Sequence, residues 1–283
     1  MSPAARRRWR IACAWLALLA GLYGAAMVWL WATQESRIFF PRTMQAARAA
    51  QVLQQMPGAR EVWLDAPDGT RLHAWWRPAA PAAPSGRALL YFGGNAEDVH
   101  WRLGAAAFAG RDLLLTDYRG YGRSSGKPGQ AAMQADALLW YDHLAKGVAG
   151  QPAPTSIAVM GTSLGSYFAT HVAANRPASA VVLVTPFDSV GDYIQSLMPL
   201  VPVNLLLRHR LDSRSQAGAV RARTLFIVAQ QDTTIPPQRA RILWDSWGGQ
   251  PRQWVEVPDS NHDTVSSDPR YRDALAAFLR ELP

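Results

Sequence analysis

From Arg87 onward the sequence alternates between short apolar runs and longer stretches with helical spacing, and this alternation narrows the available folds more than any other feature. The apolar runs are Arg87–Phe92, Leu113–Asp117, Ile157–Met160, Ala180–Val184, Thr224–Ala229 and Trp254–Val257. Helical stretches lie near Asp98–Ala109 and at Gln130–Lys146, Leu164–Asn175, Pro237–Trp247 and Asp268–Leu282. A strand that is apolar throughout needs cover on both faces. The order strand, helix, strand therefore predicts a mainly parallel sheet with helices on either side, an α/β architecture. Two earlier runs, Glu61–Ala66 and Arg71–Arg77, alternate around Pro67-Asp68-Gly69 and predict an antiparallel hairpin at one edge. Pro78–Gly86 reads as a loop. The sequence shows no internal repeat and no second domain boundary.

The N-terminus obeys different rules. Ile11–Ala32 runs about 22 residues without a charge, and as a helix it would span roughly 33 Å, the thickness of a bilayer core. Trp9 and Trp15 lie near one end, Trp29 and Trp31 near the other, as in an interfacial aromatic belt. Arg6, Arg7, Arg8 and Arg10 precede the run. The positive-inside rule then predicts a cytoplasmic tail (1–10), a membrane anchor (11–32) and an extracytoplasmic remainder. A cleaved signal peptide is the rival, but its apolar region is shorter and ends in small residues, whereas Gly24, Ala25 and Ala26 lie inside this run. Residues 33–60 read as a helical connector and 61–283 as the main domain.

Composition excludes several classes. The net charge is +8; four arginines sit at the N-terminus and the other basic residues are scattered, with no basic run interleaved with aromatics, so no nucleic-acid partner is expected. Attraction to anionic lipid is a better use for that charge. The single cysteine, Cys13, permits no internal disulfide and no cysteine-built zinc site. His73, His100, His143, His171 and His209 lie singly and read as structural. No metal or cofactor is expected. Gly120–Pro128 lacks the spacing of a P-loop or a dinucleotide fingerprint and reads as a structural loop.

The chemistry concentrates where strands end. Gly161-Thr162-Ser163-Leu164-Gly165 follows a strand and opens a helix, the context of a nucleophile elbow. Ser163 is the expected nucleophile. The flanking glycines are needed because a Cβ there would strike a neighbouring element. A serine hydroxyl needs a base and a group to orient that base. His262 follows the last strand and Asp232 the strand before it, so both should reach the sheet edge where Ser163 emerges. Asp188, after Ala180–Val184, is an alternative acid; Asp117 is expected to bond the neighbouring loop. An oxyanion needs two donors. The expected pair is the N–H of Leu164 and that of Asn95, with Gly94 as the alternative, in the loop Gly93-Gly94-Asn95-Ala96.

These pieces, Phe92-Gly-Gly-Asn-Ala, Asp117-Tyr-Arg-Gly-Tyr-Gly-Arg-Ser, Gly161-Thr-Ser-Leu-Gly, Thr185-Pro-Phe-Asp-Ser, Gln231-Asp232 and His262-Asp263, resemble the α/β-hydrolase superfamily. The resemblance covers roughly residues 60–283. It is to the membrane-anchored α/β-hydrolase-domain proteins near the serine aminopeptidase-like group. It implies an α/β-hydrolase fold and a triad of Ser163, Asp232 and His262. Many relatives carry His-Gly where this chain has Gly93-Gly94. Relatives include lysophospholipases, monoacylglycerol lipases, depalmitoylating thioesterases and peptidases.

The expected function is hydrolysis of esters or thioesters, with small-molecule or lipid acyl substrates. A peptidase on the same triad and a non-catalytic membrane scaffold are the alternatives. Tyr193–Leu207, ten large apolar residues with Pro199 and Pro202, falls where this fold inserts a cap, expected over about 188–217. It reads either as an ordinary core helix or as an apolar lid near the bilayer that admits acyl chains. Nothing in the sequence fixes the oligomeric state.

Overall fold

A computed structural model describes residues 2–79 and 86–282. Ala80–Ser85 of the expected loop lie outside the described residues. The chain opens with the long helix α1 (Pro3–Thr33), the short α2 (Glu35–Ile38) and α3 (Ala46–Gln55). The hairpin β1 (Arg60–Asp65) and β2 (Arg71–Arg77) follows. Then come β3 (Arg87–Phe92), β4 (Asp112–Asp117), α4 (Gln130–Ala145), β5 (Ser156–Thr162), α5 (Leu164–Asn175) and β6 (Ala180–Val184). Three short helices, α6 (Val190–Leu197), α7 (Val203–Leu206) and α8 (Arg214–Ala217), form the insertion before β7 (Arg223–Ala229). The helix α9 (Pro237–Asp245), β8 (Arg252–Val257) and α10 (Pro269–Arg280) close the chain.

The eight strands make one sheet in the order β1-β2-β4-β3-β5-β6-β7-β8. The hairpin is its antiparallel edge, with β2 also antiparallel to β4, and every other pairing is parallel. The hairpin turn works as its residues require. Gly69 takes φ +81° and Asp68 Oδ1 accepts from the Thr70 N–H at 3.0 Å.

Side chains alternate across the strands, so the inner strands feed two cores. Leu90 and Phe92 of β3 join Trp140, Phe168 and Leu243 on one face. Leu89 and Tyr91 join Val52, Leu275 and Phe278 on the other. Burial on both faces is why these strands carry no polar alternation.

One element differs from expectation. The helix expected at Asp98–Ala109 is instead two 3-10 turns, Val99–Gly104 and Ala106–Phe108, broken by Ala105 at ψ 117°. Gly104 sits at the break, and glycine costs a helix about 1 kcal/mol relative to alanine.

The helix α1 buries no residue and is long and apolar enough to cross a membrane. The connector, in contrast, is packed: Phe39, Ala49 and Val52 are buried and Thr43 bridges Gly122.

Candidate active site

Ser163 links β5 directly to α5 at φ 52°, ψ −117°. A non-glycine residue held there costs of order 1–3 kcal/mol. The surrounding backbone imposes it. A Cβ on Gly161 would lie 2.1 Å from the Gly165 carbonyl oxygen, and one on Gly165 would lie 2.0 Å from that of Phe92. Both positions therefore exclude any side chain, and the turn can be this tight only because both are glycine. The Ser163 N–H donates to the Val184 carbonyl at 2.9 Å, tying the turn to β6.

The loops after β7 and β8 bring two further groups to this point. His262 Nε2 lies 2.9 Å from Ser163 Oγ, and His262 Nδ1 lies 2.6 Å from Asp232 Oδ2. Asp232 is buried, and its other oxygen accepts from the N–H groups of Thr234 and Ile235 at 2.9 and 2.8 Å. Those bonds fix the carboxylate with Oδ2 facing the imidazole. A carboxylate can only accept, so Nδ1 carries the proton and Nε2 is left to accept from the serine hydroxyl. Asn261 Oδ1 accepts from the N–H groups of Asp263 and Thr264, which shapes the loop carrying His262.

The other two acids are engaged elsewhere. Asp188 pairs with Arg239 at 2.7 Å, and burial raises its carboxyl above the usual range. Asp117 pairs with His73 at 2.7 Å and accepts from the Arg123 N–H at 3.3 Å. No hydrogen bond joins either to His262 among the described residues.

The loop after β3 faces the same point. Gly94 lies close enough that a Cβ on it would be 3.7 Å from Ser163 Cβ. The Gly94 N–H, however, donates to Glu97 Oε2 at 2.7 Å and is committed. The N–H groups of Asn95 and Leu164 donate to no group among the described residues. Of the expected donors, these two are the ones left free for a ligand.

What holds this loop was not evident from sequence. The Glu97 carboxylate also accepts from Tyr91 Oη at 2.9 and 3.0 Å and from Arg102 Nε at 2.8 Å. Tyr118 Oη donates to the Gly93 carbonyl at 2.7 Å, and Tyr121 Oη to Asn95 Oδ1 at 2.8 Å. Burial pushes the Tyr91 and Tyr118 hydroxyls well above their usual range, so both remain donors. The Asp117–Ser124 loop is thus a buttress for the β3 loop. Its Gly122 has φ +51°, and a Cβ there would overlap the Asp117 carboxylate. Asn95 is also held from the connector: Phe40 N–H donates to its Oδ1 at 3.0 Å and its Nδ2 donates to the Ile38 carbonyl at 2.7 Å. Among the described residues, no group of three or more His, Cys, Asp or Glu side chains is arranged to hold a metal ion.

An open, mostly parallel sheet with a strained serine at a strand–helix junction, and a carboxylate and an imidazole after the last two strands, defines the α/β-hydrolase class. Comparison with known proteins agrees. A family model described as serine aminopeptidase, S33, matches residues 97–213. An uncharacterized protein of Mycobacterium tuberculosis is 32% identical over 273 residues, covering 94% of each chain. The α/β hydrolase domain-containing protein WAV2 of Arabidopsis thaliana is 29% identical over 224 residues, covering 71% of each. An esterase of Pyrococcus furiosus superposes with a TM-score of 0.64 at 15% identity, covering 87% of this chain and 99% of its own. The chain belongs to the α/β-hydrolase superfamily and is a hydrolase by family.

Proposed function

We propose that this protein is a membrane-anchored serine hydrolase that cleaves ester or thioester bonds of acyl substrates. The observation that carries the reading is the unbroken chain of hydrogen bonds from Asp232 through His262 to Ser163. Ser163 Oγ attacks the substrate carbonyl carbon as its proton passes to His262 Nε2. The carbonyl electron pair moves onto oxygen, where the N–H groups of Leu164 and Asn95 stabilise it. The first turn of α5 adds its positive end to the same charge. Collapse re-forms the carbonyl and expels the alcohol or thiol, which takes the proton from His262. Water then repeats the sequence on the acyl-enzyme and releases the acid. Asp232 holds the imidazole tautomer and offsets its charge when protonated.

Ser163→Ala should lower turnover of a p-nitrophenyl ester by several orders of magnitude and abolish labelling by a fluorophosphonate. An unlabelled parent protein would overturn the reading.

The anchor is α1, none of whose residues is buried and whose Ile11–Ala32 run carries no charge. The arginines at its start favour a cytoplasmic N-terminus and an extracytoplasmic hydrolase domain. Release of the protein from membranes by alkaline carbonate would refute the anchor. Digestion of the catalytic domain by protease added to intact spheroplasts tests the orientation.

A further inference from the structure

The insertion between β6 and β7 meets α1 far along that helix rather than at its end. Tyr23 Oη donates to the Leu200 carbonyl at 2.6 Å. Tyr23 lies ten residues before Thr33, which is about 15 Å along a helix axis and about half the thickness of a bilayer core. The tip of the insertion therefore lies at the level of the middle of the apolar helix.

Its surface suits that level. No charged residue occurs from Tyr193 to Leu207. Leu197, Leu200 and Leu205 are 63%, 85% and 87% exposed, and Met198 is exposed beside them. A cluster of this size on a water-facing tip is costly.

Its backbone groups largely suit it as well, although the Asn204 side chain is exposed and makes no hydrogen bond among the described residues. Hydrocarbon offers no hydrogen bonds, so backbone at that depth must be satisfied from within the protein. Gln195 lies at the base of the tip. Its Nε2 donates to the carbonyls of Met198 and Val201 at 3.3 and 3.0 Å, and its Oε1 accepts from the Val203 N–H at 3.1 Å. Val201 N–H donates to the Met198 carbonyl at 3.0 Å, and Tyr23 takes the carbonyl of Leu200. Pro199 and Pro202 have no N–H to satisfy.

The charges mark where the immersion stops. Arg208, the first charge after the tip, stacks on Trp31 with 4.9 Å between guanidinium and ring centroid. Its N–H donates to Gln34 Oε1 at 2.7 Å, and its side chain lies 3.4 Å from Glu35. Arg37 stacks on Trp29 at 4.2 Å. Both elements thus change from apolar to charged at one height, that of an interfacial aromatic belt. Between them lies a cavity of about 370 Å³ whose lining includes Leu30, Trp31, Ile38, Ile194, Met198 and Leu206.

We infer that the tip at 197–205 is immersed in bilayer hydrocarbon beside α1, as a second, non-spanning membrane element. This rests on the anchored-hydrolase reading and adds that the insertion faces lipid rather than water. The hydrolase is then fixed to the bilayer at two points.

The test uses the full chain in phosphatidylcholine vesicles, with Cys13→Ser as background and single spin-labelled cysteines. Leu19→Cys reports the helix, Leu200→Cys and Leu205→Cys report the tip, and Gln151→Cys reports an exposed loop. Labels at 200 and 205 should match the label at 19, with collision rates for a water-soluble nickel chelate about tenfold below those at 151. A shielded label at 19 with water-like labels at 200 and 205 overturns the inference and leaves the anchor standing. A water-like label at 19 overturns both. Using two tip positions guards against one variant that fails to fold.

Discussion

Glu97→Ala removes the acceptor from three donors at once: the Gly94 N–H, Tyr91 Oη and Arg102 Nε. Glu97 and Arg102 are 18% and 19% exposed, so solvent compensates only partly. Breaking one such pair costs about 3 kcal/mol when the partner charge stays buried, and hydrogen bonds to a charged group contribute about 1.5–3 kcal/mol each. A loss of about 3 kcal/mol in unfolding free energy follows. On the proposed mechanism the effect on rate comes through Asn95, the next residue after Gly94. Deleting one oxyanion donor costs roughly 10²–10³ in kcat. Displacing a donor by loosening its loop has that as its upper bound, so kcat should fall about 30- to 100-fold with KM nearly unchanged. Glu97→Gln keeps an acceptor for the Gly94 N–H and should lose less than about tenfold. The assay is hydrolysis of p-nitrophenyl butyrate in detergent, with urea unfolding of the same samples. A folded Glu97→Ala protein with kcat within about threefold of the parent would refute the argument that this carboxylate sets the loop.

Asp232→Asn should reduce kcat by about 10⁴, because the amide favours the wrong imidazole tautomer; a loss under tenfold would reopen Asp188 as the acid. Glycine tolerates φ 52° and alanine does not, so Ser163→Gly should unfold about 1 kcal/mol later than Ser163→Ala; equal urea midpoints would show the elbow to be unstrained. Hydrogen bonds from Arg119 hold Asp68 at about 2, below its ordinary 3.8. A lowered carboxyl contributes stability that is present above pH 3.8 and lost as pH falls through 2. Asp68→Asn should therefore flatten the fall of the urea midpoint between those values, and an unchanged slope would discard the role.

The strands and most helices were readable because burial on both faces leaves a plain apolar signal, and Pro67-Asp68-Gly69 announces its own turn. Ser163, Asp232 and His262 were readable because each sits where a strand runs out, and chain order then suffices to bring them together. Gly104 was visible as a residue, but a single glycine need not end a helix, so the break at Ala105 left no decisive local signal. The expectation of Asn95 before Gly94 as a donor had no local reason in the sequence; the bond from the Gly94 N–H to Glu97, which bears on that order, is visible only in the folded loop. The supports from Tyr118 and Tyr121 left no local pattern either, because each acts across more than 20 residues of sequence. The same holds for Gln195, an ordinary amide in an apolar stretch until its three backbone partners are seen.

The hydrogen bonds from Phe40 to Asn95 and from Asn95 to Ile38 have a practical consequence. A water-soluble form made by trimming the N-terminus back to the first strand would discard the partners of Asn95, the residue whose N–H the proposed mechanism uses. Such a form should fold its sheet and still turn over poorly, which would wrongly suggest that lipid is required for catalysis. Trimming no further than Gln34 keeps those partners and separates the two explanations.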